Sequence, residues 1–156
     1  MRIVQLKKTW ALIALVALAH LSQDLALAES EAALFQYKDT RVIAQGKVVY
    51  KDHCASCHGD DLEGEENWRQ RKANGRLPAP PHDVTGHTWH HPEQALFDLT
   101  KFGLAKLLNN NTIETDMPAY EEVLTDQEIL SVLSFIKSTW PAEIQRKHDK
   151  ISARQH

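Results

Sequence analysis

The sequence has little cysteine and no long apolar run. It has only two cysteines, and a zinc site would need a second pair of ligands at Cys-x-x-Cys or His-x-x-x-His spacing. Its apolar stretch from Trp10 to Leu21 is about a dozen residues long, whereas a membrane-spanning helix needs roughly 20. No basic excess is present, since the formal net charge is −3, and nucleic acid is therefore a poor candidate partner. The composition, with 42% hydrophobic and 25% charged residues in a chain of 156, is typical of one globular domain.

The first 28 residues contain the three parts of a secretory signal peptide. Three basic residues among the first eight precede the apolar stretch, and Ala26-Leu27-Ala28 forms a small-residue cleavage site. We expect cleavage after Ala28 rather than retention as an anchor, and export to the periplasm in a bacterium. Cleavage removes three basic residues and one acidic residue, so the formal net charge moves from −3 to −5.

Five consecutive residues, Cys54-Ala55-Ser56-Cys57-His58, carry the clearest chemical signal. Two thiols one helical turn apart suit the two vinyl groups of haem, and an imidazole that follows directly can reach the iron. A thiol–disulfide redox centre is the alternative, but such a centre usually accompanies a βαβ pattern, and this chain has helical periods. The pentad therefore predicts one covalently attached haem c per chain. An export signal agrees with this, because haem thioethers form outside the cytoplasm.

A first helix is predicted to begin at Asp39 or Thr40 and to run into Cys54, because apolar residues recur at spacings of three and four. Gly46 in its interior costs about 1 kcal/mol relative to alanine. It is either a tolerated weak position or the point where a second helix comes close. Residues 29–38 are expected to form an irregular lead-in.

Two further helices are predicted after the pentad. The first begins with Pro92 in its first turn and ends at Gly103. The second begins with a capping box formed by Thr125 and Glu128, carries an apolar stripe that forms a core face, and stops at Pro141.

The remaining segments are rich in polar residues. Residues 59–91 contain many glycines, prolines and charges, which predicts a long loop that wraps the haem. Residues 142–156 are locally basic and predict a solvated, partly helical tail, with a partner-docking patch as the alternative. The predicted organisation is a signal peptide over 1–28, the lead-in, a haem domain over 39–141 and this tail.

Met117 is the only methionine that remains after signal cleavage, and it lies in a polar, proline-containing loop ahead of the last helix. A lone methionine in a core is ordinarily a gap-filler, but this loop gives it less reason to be buried. A thioether is a soft donor that favours ferrous iron and suits one-electron exchange. We therefore predict His58 and Met117 as the axial ligands. The rival ligands are His53, His82, His87, His90 and His91.

The pentad followed by Gly59, together with Met117-Pro118 ahead of a capped terminal helix, resembles the small monohaem class I c-type cytochromes of bacteria. The resemblance covers about residues 39–140. It implies an all-α fold in which helices and long loops surround one covalently attached haem. It also implies that the first and last helices cross at a glycine flanked by aromatic residues. The corresponding residues here are Gly46, Tyr50, Val132 and Phe135.

The same resemblance implies contacts around the haem. A proline carbonyl should accept the ring N–H of His58, and Pro80 is the candidate, with Pro78 as the alternative. Trp89, within a histidine-rich run over residues 87–91, is expected to donate its indole N–H to a haem propionate or to pack on the haem edge.

The chain departs from the family pattern at two places. His82 stands where these cytochromes often have an aliphatic residue, and the loop from Glu65 to Arg76 is longer and more charged than a minimal version requires.

A haem with His/Met ligation has no vacant position for a substrate, which favours an electron carrier over an enzyme. The expected partners are redox proteins that dock weakly, at least one of them through a basic face, and we expect a monomer. The alternatives are a ligand-binding, gas-sensing haem module and a cytochrome subunit of a larger oxidoreductase.

Overall fold

The computed structural model describes residues 34–154, and within this range the chain forms helices and no strand. The α-helices of residues 34–154 are α1 (Thr40–His53), α2 (Ala55–His58), α3 (Glu93–Leu107), α4 (Asp126–Ser138) and α5 (Ala142–Ser152), and a short 3-10 helix spans Thr88–His90. The expected all-α class is confirmed. Over the same range no helix is both long and apolar enough to cross a bilayer. The predicted signal peptide and residues 29–33 of the lead-in lie outside the described residues.

Helices α1 and α4 cross at Gly46. A Cβ atom at this position would overlap the Ser131 carbonyl and lie 2.9 Å from Cβ of Phe135. One turn later the rings of Tyr50 and Phe135 lie 5.5 Å apart, centroid to centroid, and Val132 is buried. Gly46 is therefore the point where a second helix comes close, rather than a tolerated weak position.

Local signals define the ends of both crossing helices. The Asp39 carboxylate accepts the backbone N–H of Arg41 at 2.9 Å and caps α1. At α4 the Thr125 hydroxyl accepts the N–H of Glu128, and the Glu128 carboxylate accepts the N–H of Thr125, so the predicted capping box is present. The apolar stripe of this helix is buried, from Ile129 through Val132, Leu133 and Ile136 to Trp140.

Helix α3 consists of two helical segments separated by Gly103. Pro92 is the residue before its first turn, and Gly103 adopts φ 77° and ψ 161°, which interrupts the helical backbone. Gly103 thus ends the first helical segment, as predicted, and a second segment that the sequence did not predict continues to Leu107. A Cβ atom on Gly103 would lie 3.2 Å from that of Ala119. The interruption therefore leaves room for the loop that carries Met117.

The tail is docked rather than solvated. It forms helix α5, in agreement with the predicted partial helix, but His148 is fully buried and stacks its ring on that of Phe35. The ring Nε2 of His148 donates to the His91 carbonyl at 2.8 Å. The sequence did not predict this docking because the tail is polar in composition and only one narrow face of α5 is buried.

A buried cluster of charges fastens α3, α4 and α5 together. Nζ of Lys137, which has no exposed area, lies 2.6 Å from a carboxylate oxygen of Glu93 and 2.6 Å from one of Asp149. The other Glu93 oxygen accepts the backbone N–H groups of Leu34 and Phe35, at 2.8 and 3.1 Å. We call Glu93, Lys137 and Asp149 the buried cluster.

Candidate functional site

The pentad forms a turn of its own after α1. Cys54 has φ −120° and ψ −39°, which breaks α1, and the N–H of His58 then donates to the Cys54 carbonyl at 2.9 Å. The sequence predicted that α1 would run into Cys54, and it ends one residue before. The short helix α2 leaves the Cys54 thiol half-buried and the Cys57 thiol exposed, and both thiols are free.

The Cys54 thiol is poorly suited to thiol–disulfide chemistry. Its burial, and secondarily the neighbouring Cys57, raises its pKa to about 11. A catalytic dithiol needs a lowered pKa, because the thiolate is the nucleophile. The structure therefore disfavours the dithiol interpretation of the pentad.

His58 is held so that one ring nitrogen is available. Its Nδ1 lies 2.8 Å from the Pro80 carbonyl oxygen, and because a carbonyl can only accept, Nδ1 carries the proton. Nε2 therefore has the lone pair, and it makes no hydrogen bond to any residue between 34 and 154. Burial lowers the pKa of His58, although the bond to Pro80 opposes this, so the ring is neutral near pH 7.

The backbone around Pro80 is fixed by Glu65. The N–H of Glu65 donates to the Ala79 carbonyl at 2.8 Å, and the N–H of Ala79 donates to the Glu65 carboxylate at 2.6 Å. These bonds hold the Pro80 carbonyl in place beside His58. The contact that the resemblance implied is thus present at Pro80, and Pro78 does not make it.

His82 lies against His58 on the same side of the site. The two rings stack with centroids 4.0 Å apart and planes 22° apart. Nδ1 of His82 lies 2.8 Å from the Thr88 hydroxyl, and its carbonyl accepts the indole N–H of Trp140 at 2.8 Å. Burial, and then the charges of His58 and His87, holds the pKa of His82 well below its usual value. A ring stacked on His58 is not placed to bind iron from the opposite side.

Sequence reasoning considered His82 only as a rival ligand and a departure from the family. Its position two residues after Pro80 is the one signal that could have placed it beside His58.

Met117 is half-buried and packs against the apolar core, whereas its neighbours Asp116 and Pro118 are exposed. Its backbone N–H donates to the Thr115 hydroxyl at 3.1 Å. Three residues later the Tyr120 hydroxyl donates to the His53 carbonyl at 2.7 Å, directly before the pentad. This bond ties the methionine loop to the segment that carries the two thiols.

Trp89 lies between the turn over residues 84–89 and helix α5. Its indole N–H donates to the Val84 carbonyl at 3.4 Å, and Nζ of Lys147 lies 4.3 Å from the centre of its ring. The turn over residues 84–89 brings this carbonyl to the indole, and the predicted contact of Trp89 with a haem propionate or the haem edge stays a prediction. A ring in contact with α5 belongs to the packing of the C-terminal helix.

The donor set fits a covalently attached haem. The two free thiols have the required spacing, the neutral His58 ring has a lone pair on Nε2, and Met117 supplies a thioether that points to the core. Cys54 and Cys57 would hold the haem covalently, and His58 would bind its iron.

An all-α fold that presents this arrangement defines a c-type haem protein. The family model for cytochrome c matches residues 43–140, and the chain therefore belongs to the cytochrome c family. Members of this family bind haem c covalently and carry electrons between redox partners. A search of curated proteins and a search of solved structures gave no match.

Proposed function

We propose that this chain is a periplasmic one-electron carrier whose haem iron is bound by His58 and Met117. When bound, haem supplies a reversible couple between ferrous and ferric iron. The protein supplies two thiols, a neutral imidazole with a fixed orientation, and a soft donor in a loop fastened beside the pentad. A thioether ligand raises the reduction potential relative to a second imidazole.

The orientation of Met117 carries the proposal. It is the one residue of the segment over 115–119 whose side chain packs against the core, although the sequence around it is polar. The rival imidazoles have other environments. His82 stacks on His58, His87 stacks on Trp68 with ring centroids 5.3 Å apart, and His53, His90 and His91 are exposed.

The first experiment is the visible spectrum of the ferric protein with its covalent haem. We expect the weak far-red band that reports a bond between iron and methionine sulfur. In Met117→Ala the band should disappear, the potential should fall, and the reduced protein should bind carbon monoxide. His90→Gln is the matched control, because it removes an exposed rival imidazole and should leave the spectrum and the potential unchanged.

The same spectrum separates the carrier from a gas-sensing haem module. A wild-type protein that lacks the band and binds carbon monoxide readily would contradict the carrier, because its iron would have an open position.

The location is tested by fractionation. The signal-peptide pattern of residues 1–28 supports export, and we expect the protein in the periplasmic fraction with an N-terminus at Glu29 and the mass of one added haem. Recovery of the intact N-terminus in the cytoplasmic fraction, without haem, would contradict it.

The acidic charge predicts how the protein meets its partners. With a formal net charge of −3 before cleavage, exchange with a basic redox partner should slow as salt is added. Stopped-flow oxidation at increasing ionic strength measures this dependence.

A further inference from the structure

The segment over residues 65–76, which we call the charged loop, contacts the chain directly before Met117. Nη1 of Arg76 lies 2.7 Å from Oδ1 of Asp116, and Nη2 of the same guanidinium lies 3.4 Å from a Glu114 carboxylate oxygen. Nζ of Lys72 lies 3.5 Å from Oδ2 of Asp116. Each oxygen of Asp116 therefore faces a different cation of the charged loop.

The charged loop also contacts the segment that supports His58. Nζ of Lys72 lies 2.9 Å from Oε1 of Glu65, and Oε2 of Glu65 accepts the N–H of Ala79 at 2.6 Å. Ala79 precedes Pro80, whose carbonyl orients His58. One connected set of charges thus extends from the support of His58 to the residue before Met117.

These pairs are more than isolated surface contacts. The side chains of Lys72, Arg76 and Asp116 are 36%, 36% and 39% exposed, and each of them has two or more polar partners in the set. Networks of this kind hold their geometry better than single exposed pairs, whose contribution is often not measurable.

We propose that the charged loop is a positioning element that keeps Met117 on the iron, with Arg76 and Lys72 acting through Asp116. The inference rests on the proposed His58/Met117 ligation. Outward movement of the segment around Met117 takes the thioether away from the iron, and this movement breaks the contacts of Asp116 to two cations of the charged loop. The extra length and charge of this loop, which depart from the family pattern, thereby acquire a role.

The test measures the rate at which imidazole replaces the methionine in the ferric protein. The loss of the far-red band monitors this replacement. In Arg76→Gln we expect replacement to be roughly two- to tenfold faster, as for loss of one coupled member of a charged set. Added salt should speed replacement in the wild type and change it less in the variant, because the pairs are partly exposed and can be screened.

Arg71→Gln is the matched control. Arg71 lies in the same loop and carries the same charge, but its guanidinium donates only to the Gly75 carbonyl, at 2.7 Å, among the described residues. In this variant imidazole should replace the methionine at the wild-type rate. Asp116→Asn completes a double-mutant cycle with Arg76→Gln, and we expect the double variant to be little faster than either single variant.

Three outcomes are informative. Equal rates in Arg76→Gln and Arg71→Gln, with a normal far-red band, would overturn the positioning role alone. Additive effects in the cycle would also overturn it, because they would show that Arg76 does not act through Asp116. A wild-type protein without the band would overturn the ligation itself and this inference with it.

Discussion

Two sets of charges in this molecule are built from the same kinds of residue and differ in their surroundings. The buried cluster places Lys137 between Glu93 and Asp149 with no exposed area on the lysine. The charged loop places Arg76 between Asp116 and Glu114 with about a third of its side chain exposed. The first joins helices, and the second joins two loops beside the site.

The difference shows how one domain can be rigid in one part and adjustable in another. Lys137 and Glu93 of the buried cluster cannot lose each other without being stranded in a medium of low polarity, whereas the Asp149 side chain is 41% exposed. A charge in the charged loop can exchange its partner for water. We therefore expect substitutions in the buried cluster to lower the free energy of unfolding. Substitutions in the charged loop should instead change the rate at which Met117 is replaced.

The largest expected effect belongs to Lys137→Met, which leaves the Glu93 carboxylate buried beside two backbone donors but without its cation. Breaking one side of a buried pair costs about 3–5 kcal/mol. Denaturant unfolding measures the free energy. Lys150→Met, on the exposed side of α5, is the control and should have little effect. A loss below about 1 kcal/mol would remove the distinction between the two sets.

Acid should lower the free energy of unfolding through protonation of His148, which lies next to the buried cluster. Burial, and then the charge of Lys137, lowers its pKa to about 4 from the usual 6.5. Between these two values the unfolded chain binds a proton that the folded chain does not, so stability should fall as the pH drops from 6.5 to 4. The expected loss is about 3 kcal/mol.

The free energy of unfolding as a function of pH, compared between wild type and His148→Gln, isolates this proton. The variant lacks the titrating ring and should lose less stability over the same interval. Parallel curves for the two proteins would contradict the assignment.

The helix crossing should give an intermediate effect. Alanine has a higher helix propensity than glycine by about 1 kcal/mol, but a Cβ atom at Gly46 would overlap the Ser131 carbonyl. Overpacking of this kind costs about 1–3 kcal/mol, so Gly46→Ala should be destabilising by thermal or denaturant unfolding. The neighbouring Gln45→Ala, at an exposed position of the same helix, should be neutral or stabilising. An equal response of the two would show that α1 and α4 can move apart at this point.

The smallest effect on folding should come from Arg76→Gln. Its pairs are partly exposed, so we expect no resolvable change in the free energy of unfolding, although the rate of methionine replacement changes. The measurement is the same denaturant curve used for Lys137→Met. A loss similar to that of Lys137→Met would show that the charged loop is part of the folding core.

The parts of this molecule that the sequence predicts are those specified by residues close together in the chain. The Asp39 cap, the capping box of Thr125 and Glu128, and the pentad are local patterns whose chemistry is complete within a few positions. The crossing at Gly46 and the Pro80 carbonyl were expected from the family resemblance, and the structure contains both contacts.

The missed features join residues that are distant in the chain. Arg76 and Asp116 are 40 positions apart, and nothing in either segment specifies the other as its partner. The docking of α5 was missed because its buried face consists of few residues, among them a histidine that looks polar in a sequence. The bond from the Trp89 indole to the Val84 carbonyl was not expected from the sequence either, and the predicted contact of Trp89 with haem stays a prediction.

The exposure of Cys57 has a consequence for partner choice. Cys57 and the neighbouring Ser56 lie at the surface, whereas Val49 and Tyr50 of α1 are buried. A redox partner that covers this surface would approach a haem attached at Cys57 while α1 and α4 stay in contact. Substitutions of the exposed residues there would then change which partner docks without changing the helix crossing.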